Sequence, residues 1–190
     1  NVGADVIFYI PSRSGEGYGM NNEAVDKLHS QGVKLIITVD NGISSRDVIA
    51  YANTLGIDTV VTDHHMPSGE LPPAVAVVDA HREDDNSPYK DFSGVGVAFK
   101  LVMAIEGEYA DIDNLLENFS DIATMGTIGD IVPLRGENRT LVKHGIKHIQ
   151  NSDRIGINAM KEESGLNDKK ITSGNVSFTL VPRINAGGRL

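Results

Sequence analysis

Leu35-Ile36-Ile37-Thr38-Val39-Asp40-Asn41-Gly42 and, further on, Thr59-Val60-Val61-Thr62-Asp63-His64-His65 are built alike: a short apolar, β-branched run that breaks off at an acid. Runs without polar alternation fit strands buried on both faces, as parallel sheets have them. Between the two runs lies Ser45 to Leu55, where Val48, Ile49, Ala52 and Leu55 share one helical face. The pattern extends towards the N-terminus, with Val6 to Ile10 closed by Pro11, and then Asn22 to Gln31 carrying Ala24, Val25 and Leu28 on one face. The order β-α-β-α-β predicts an α/β fold: an open, mostly parallel sheet with flanking helices, its crossovers right-handed. Ala76 to Asp79, after the Pro-containing connection Met66 to Pro73, is a further candidate strand.

Beyond the charged, turn-rich loop His81 to Phe92 the periodicity changes to 3.6. Helices are predicted at Val97 to Ile105, Leu115 to Met125 and Leu141 to Gln150, the last capped by Asn138 or Thr140, with a final one at Ser152 to Glu163. A helical segment therefore follows the sheet. The chain has 190 residues, 40% hydrophobic and 23% charged, the size of one α/β domain. No apolar run is long enough for a membrane span and no signal peptide precedes the fold, so a soluble protein with no membrane partner is expected. Zero cysteines exclude disulfides, thiolate metal sites and thiol nucleophiles, and suit a cytoplasmic location. A net charge of −9 argues against gripping nucleic acid with a broadly basic surface. A phosphate-bearing substrate would need a local site.

Such a site is placed by the strand ends. Arg13 follows the first predicted strand, Asp40 the second, and Asp63-His64-His65 the third, and ligands of open parallel sheets bind beyond the carboxyl ends of the strands. Asp40 also fits an Asx turn with Asn41-Gly42, or a cap on the next helix. Asp63-His64-His65 reads as functional: adjacent imidazoles diverge, so one can hold a metal while the other faces substrate and the acid orients a ring. Asp130, among small and apolar neighbours, fits either a buried carboxylate needing a metal or a helix-end cap. Together Asp40, His64 and Asp130 form an oxygen and imidazole donor set suited to Mn²⁺ or Mg²⁺. Ser93-Gly94-Val95-Gly96 opens a helix, and tight packing explains it better than anion binding. The tail from Pro182 to Leu190 reads as a phosphate contact through its two arginines or as a linker.

Five stretches in order carry a family resemblance: Ile10-Pro11-Ser12-Arg13 with Gly17-Tyr18-Gly19; Thr38 to Ile43; Thr62 to His65; Gly126-Thr127-Ile128-Gly129-Asp130-Ile131-Val132-Pro133-Leu134; and Pro182-Arg183-Ile184-Asn185-Ala186-Gly187-Gly188-Arg189. The chain resembles the DHH phosphoesterases and, within them, RecJ-type single-strand-specific DNA exonucleases. The resemblance implies a two-metal hydrolase with Asp40, His64 and Asp130 on Mn²⁺ or Mg²⁺. It gives catalytic roles to His65, facing the scissile phosphate, and to Asp63 behind it. Substrate binding falls to Arg13, Asn41, Arg183, Asn185 and Arg189.

It implies, too, a 5′-to-3′ exonuclease of DNA repair and recombination, with single-stranded DNA as partner and a single-strand-binding protein and helicase as further ones. The family's first Asp-x-Asp motif has no counterpart, because Asp5 precedes its strand. Residues 1–150 are accordingly expected to be an N-terminally truncated DHH domain, and 151–190 a helical connector toward a missing C-terminal domain. Such a piece would be inactive alone. The competing readings are another phosphoesterase of the same family, acting on oligonucleotides, cyclic dinucleotides or pyrophosphate, and a non-catalytic α/β nucleotide-binding module.

Overall fold

The computed structural model describes residues 3–11, 19–107 and 111–187. Asn21 accepts a hydrogen bond from the Ala24 amide at 2.8 Å and so starts α1 (Asn22–Ser30), whose Ala24, Val25 and Leu28 are buried as their spacing requires. Three parallel strands follow in spatial order: β1 (Leu35–Val39), β2 (Asp58–Thr62) and β3 (Ala76–Val78), with α2 (Arg46–Thr54) joining the first two. In the register, Val39 stands beside Thr62 and Thr62 beside Val78. The acids that end the strands, Asp40, Asp63 and Asp79, are thereby brought to one edge of the sheet.

One face of the sheet is covered, where Val25, Ala52 and Ile57 pack with Ile36, Val48 and Leu55. The opposite face is largely bare: Leu35, Ile37, Val39 and Val78 keep between 42% and 51% of their surface exposed.

The rest is helical: α3 (Gly94–Glu106), α4 (Ile112–Gly129), α5 (Gly136–Gln150), α6 (Ile155–Glu163), α7 (Ser173–Asn175), a π-helical turn Val176–Leu180, and α8 (Val181–Gly187). Its core joins Met125 and Ile128 of α4 to Val142 and Ile149 of α5, and to Ile157, Leu166, Val176 and Leu180. Helices α4 and α5 touch closely enough that a Cβ at Gly145 would overlap Thr124 and the Ser120 carbonyl. Buried Asp121 ties α6 to α4 by accepting from Arg154 Nε at 2.8 Å, and the His148 ring lies 4.0 Å from the same carboxyl. Among the described residues no helix is long and apolar enough to cross a membrane.

Several expectations need correction. Val6 to Ile10 is no strand: Val6, Ile7, Phe8 and Ile10 lie in irregular chain and are at least half exposed. β-propensity supplied the side chains, but a strand also needs a neighbour to bond, and this segment pairs with none of the described strands. Neither Asn138 nor Thr140 caps α5, which starts at Gly136 behind Arg135. Asn138 instead is buried inside the helix and donates to the Asp91 and Pro133 carbonyls. Residues 181–187 of the tail are helix, not linker.

Candidate metal centre

Asp40 leaves β1 with φ +64, a left-handed conformation that turns the chain sharply. The Thr38 hydroxyl donates to the Asn41 carbonyl at 2.6 Å and the Asn41 side chain to the Val39 carbonyl at 2.9 Å, closing that turn. The Asp40 side chain sits against the start of α3: a Cβ on Gly94 would overlap its carboxyl group, so only glycine fits there. The bonds that close the turn come from Thr38 and Asn41, and Ser45, not Asp40, stands at the N-cap of α2.

Asp63 is buried and accepts four hydrogen bonds: from the Ile43 amide at 3.0 Å, the His64 amide at 2.8 Å, the His65 amide at 3.3 Å and His65 Nδ1 at 2.6 Å. Burial pushes its carboxyl up, but these bonds outweigh burial and hold it below the usual carboxylate range. It thus fastens the β1–α2 loop to the β2 end and orients the His65 ring.

His64 points the other way. Its Nε2 lies 3.0 Å from Asp40 Oδ1 and 3.3 Å from Asp130 Oδ2. The Asp40 side chain raises its pKa, against burial, with Asp130 adding to the rise. Ligating atoms of Asp40, His64 and His65 all fall within 4.8 Å of one another. An imidazole nitrogen held between two carboxylates favours positive charge at that point, which a proton satisfies and a divalent ion would satisfy better. The donors are nitrogen and hard oxygen, so they fit Mn²⁺ or Mg²⁺. Asp130 is the C-cap of α4 with its side chain 38% exposed, not the buried carboxylate that its neighbours suggest. A helix end looks into the cleft there.

That cleft, about 520 Å³, is lined by Asp40, Asp130, Asn185 and the apolar Ile122, Val181 and Ile184. Asn185 is thus brought to the site. Arg183 is exposed and donates to the Thr179 carbonyl of the preceding π-helical turn at 2.7 Å. Arg13 and Arg189 lie outside the described residues.

Sequence reasoning missed Asp79. It is buried, its Oδ1 accepts from the His81 amide at 2.8 Å, and its Oδ2 is enclosed without a hydrogen-bond partner. Burial raises its pKa, and the Asp63 charge adds to that. The signal was available, since Val-Val-Asp79 repeats the run-then-acid pattern of Asp40 and Asp63.

Parallel strands here converge acids and imidazoles at their carboxyl ends, and the family model for the DHH family, N-terminal domain, matches residues 1–127. The chain belongs to the DHH family. Within it, the chain is 39% identical over 198 residues to the single-stranded-DNA-specific exonuclease RecJ of Escherichia coli, covering 98% of this chain and 34% of that protein. It is 40% identical to the Bacillus subtilis RecJ, covering all of this chain and 23% of that one. A crystal structure of RecJ bound to manganese superposes with TM-score 0.84 at 36% identity, over 98% of this chain and 46% of that one. The Thermus thermophilus RecJ in complex with Mn²⁺ gives TM-score 0.71 at 35% identity, over 89% and 25%. The chain thus spans about a third of the E. coli protein's length.

Proposed function

We propose that the chain is the metal-binding core of a 5′-to-3′ single-stranded-DNA exonuclease. The observation that carries this is His64 Nε2 seated between the Asp40 and Asp130 carboxylates beside an open cleft, in a chain similar throughout to RecJ exonucleases. Asp40, His64 and Asp130 would hold Mn²⁺ or Mg²⁺. When bound, such ions acidify water and offset phosphate charge. His65, its Nδ1 fixed on Asp63, presents its other nitrogen towards the phosphate. Arg13, Asn41, Arg183, Asn185 and Arg189 contact the strand.

The same reading makes residues 1–150 the catalytic domain and 151–190 a connector towards a further domain. It sets the protein in the cytoplasm, in DNA repair and recombination, beside a single-strand-binding protein and a helicase. The cysteine-free composition suits that compartment.

The test is digestion of long single strands and of dinucleotides by the intact protein, with Mn²⁺ and with excess EDTA. Release of mononucleotides from long strands, lost in EDTA and lost in Asp40→Ala, is expected. Preference for dinucleotides would move the chain to another activity within the family, and binding that persists in EDTA without hydrolysis would make it a nucleotide-binding module.

A further inference from the structure

At the end of α4 an isoleucine occupies a place that backbone geometry reserves for glycine. Gly129 closes the helix, Asp130 caps it, and Ile131 follows with φ +60, its amide donating to the Ile128 carbonyl at 3.2 Å. A left-handed residue after a helix cap is usually glycine, and a β-branched side chain is strained there. Packing does not offset the strain, because Ile131 is 87% exposed. Among the described residues the only other non-glycine with positive φ is Asp40. One of the two is a candidate ligand and the other directly follows one, Asp130, and strain of this kind persists where a site needs it. The adjoining cleft wall shares the aliphatic character, with Ile122 and Ile184 lining it at 40% and 48% exposure.

We propose that Ile131 is a specificity-determining residue whose side chain packs on the face of a nucleobase next to the phosphate held at Asp40, His64 and Asp130. This inference rests on the exonuclease reading above. A nucleic acid strand offers an aliphatic side chain only its bases and sugars. An aliphatic plate makes no hydrogen bonds to base edges, so it accepts any base. In a duplex the base faces are stacked and covered, so contact at Ile131 favours an unpaired strand.

The experiment compares the intact wild-type protein with Ile131→Gly, Ile131→Asn and Ile131→Leu on two single strands, oligo-dT and the same oligonucleotide with abasic 5′-terminal positions. Wild type is expected to prefer the base-bearing strand by roughly tenfold in kcat/KM, the order of burying one aliphatic side chain. Ile131→Gly and Ile131→Asn should lose that preference through a higher KM on the base-bearing strand, and Ile131→Leu should keep most of it. The melting temperature of Ile131→Gly should be equal to or above that of wild type, since glycine relieves the strain. An undiminished preference in the glycine variant overturns the inference. So does a lower melting temperature in that variant, which would mean that Ile131 packs within the protein. A wild type that cuts neither strand overturns the exonuclease reading itself.

Discussion

Asp63 and His64 are neighbours whose ionisation is tuned in opposite directions, and the difference can be measured. Asp63 is held below the ordinary carboxylate range, so its contribution is present above pH ~3.9 and lost as pH falls through its folded value. Asp63→Asn should lower stability at neutral pH by about 1–3 kcal/mol, because the Ile43 amide and the His65 ring lose their charged acceptor. It should also flatten the acid limb of stability. Thermal unfolding from acid to neutral pH tests both. His64 has the reverse sign: its pKa is raised, so in metal-free protein its contribution is complete below pH ~6.5 and lost as pH rises through the folded value. Metal needs the neutral ring, so Mn²⁺ affinity should increase over that same rise. Calorimetric titration at stepped pH checks this, and a flat profile that His64→Gln leaves unchanged would remove His64 from the site.

At the scale of elements, the start of α3 positions Asp40 and the end of α4 positions Asp130. Gly94→Ala should push the Asp40 carboxyl out of place and weaken Mn²⁺ binding while circular dichroism shows the same helix content. Arg154→Met should strand the fully buried Asp121 carboxyl between α4 and α6 and lower stability by at least about 2 kcal/mol, read in urea unfolding. These elements differ in how far the sequence disclosed them. Leu35–Val39 was legible to the residue because its continuous apolar run and following acid have few other uses. Val6 to Ile10 has the same composition but is exposed irregular chain, since composition cannot say whether a neighbouring strand is there. The approach of Asp40 to His64 was legible because strand ends share an edge in any parallel sheet, whereas Asp130 meets them from the end of α4. Asp79 was overlooked although it obeys that same rule, and the exposure of Asp130 depends on where α4 ends, which periodicity leaves open. The tail concealed its helix behind Pro182 and two glycines, while Val176, Leu180 and Val181 already carried a helical spacing and are buried.

For the molecule as a whole, the bare sheet face is the feature with the largest physical consequence. All-parallel sheets are ordinarily covered on both sides, yet Leu35, Ile37, Val39 and Val78 present a contiguous apolar surface on the outer side of β1 and its neighbours. β1 is also the edge of the three-stranded order, and its outward backbone groups pair with no other described strand. An exposed apolar face beside an open edge promotes association, and the net charge of −9 opposes it only through repulsion that salt screens. The 190-residue chain on its own should therefore bind an apolar dye and self-associate, more strongly as salt is raised. The double substitution Leu35→Lys with Ile37→Glu places charges on that face without touching Ile36 or Thr38, which point to the covered side, so it should suppress dye binding and association while helix content stays constant. Sedimentation showing a salt-independent monomer, with no dye bound, would mean that the face is covered in solution and that β1 is not the sheet's true edge.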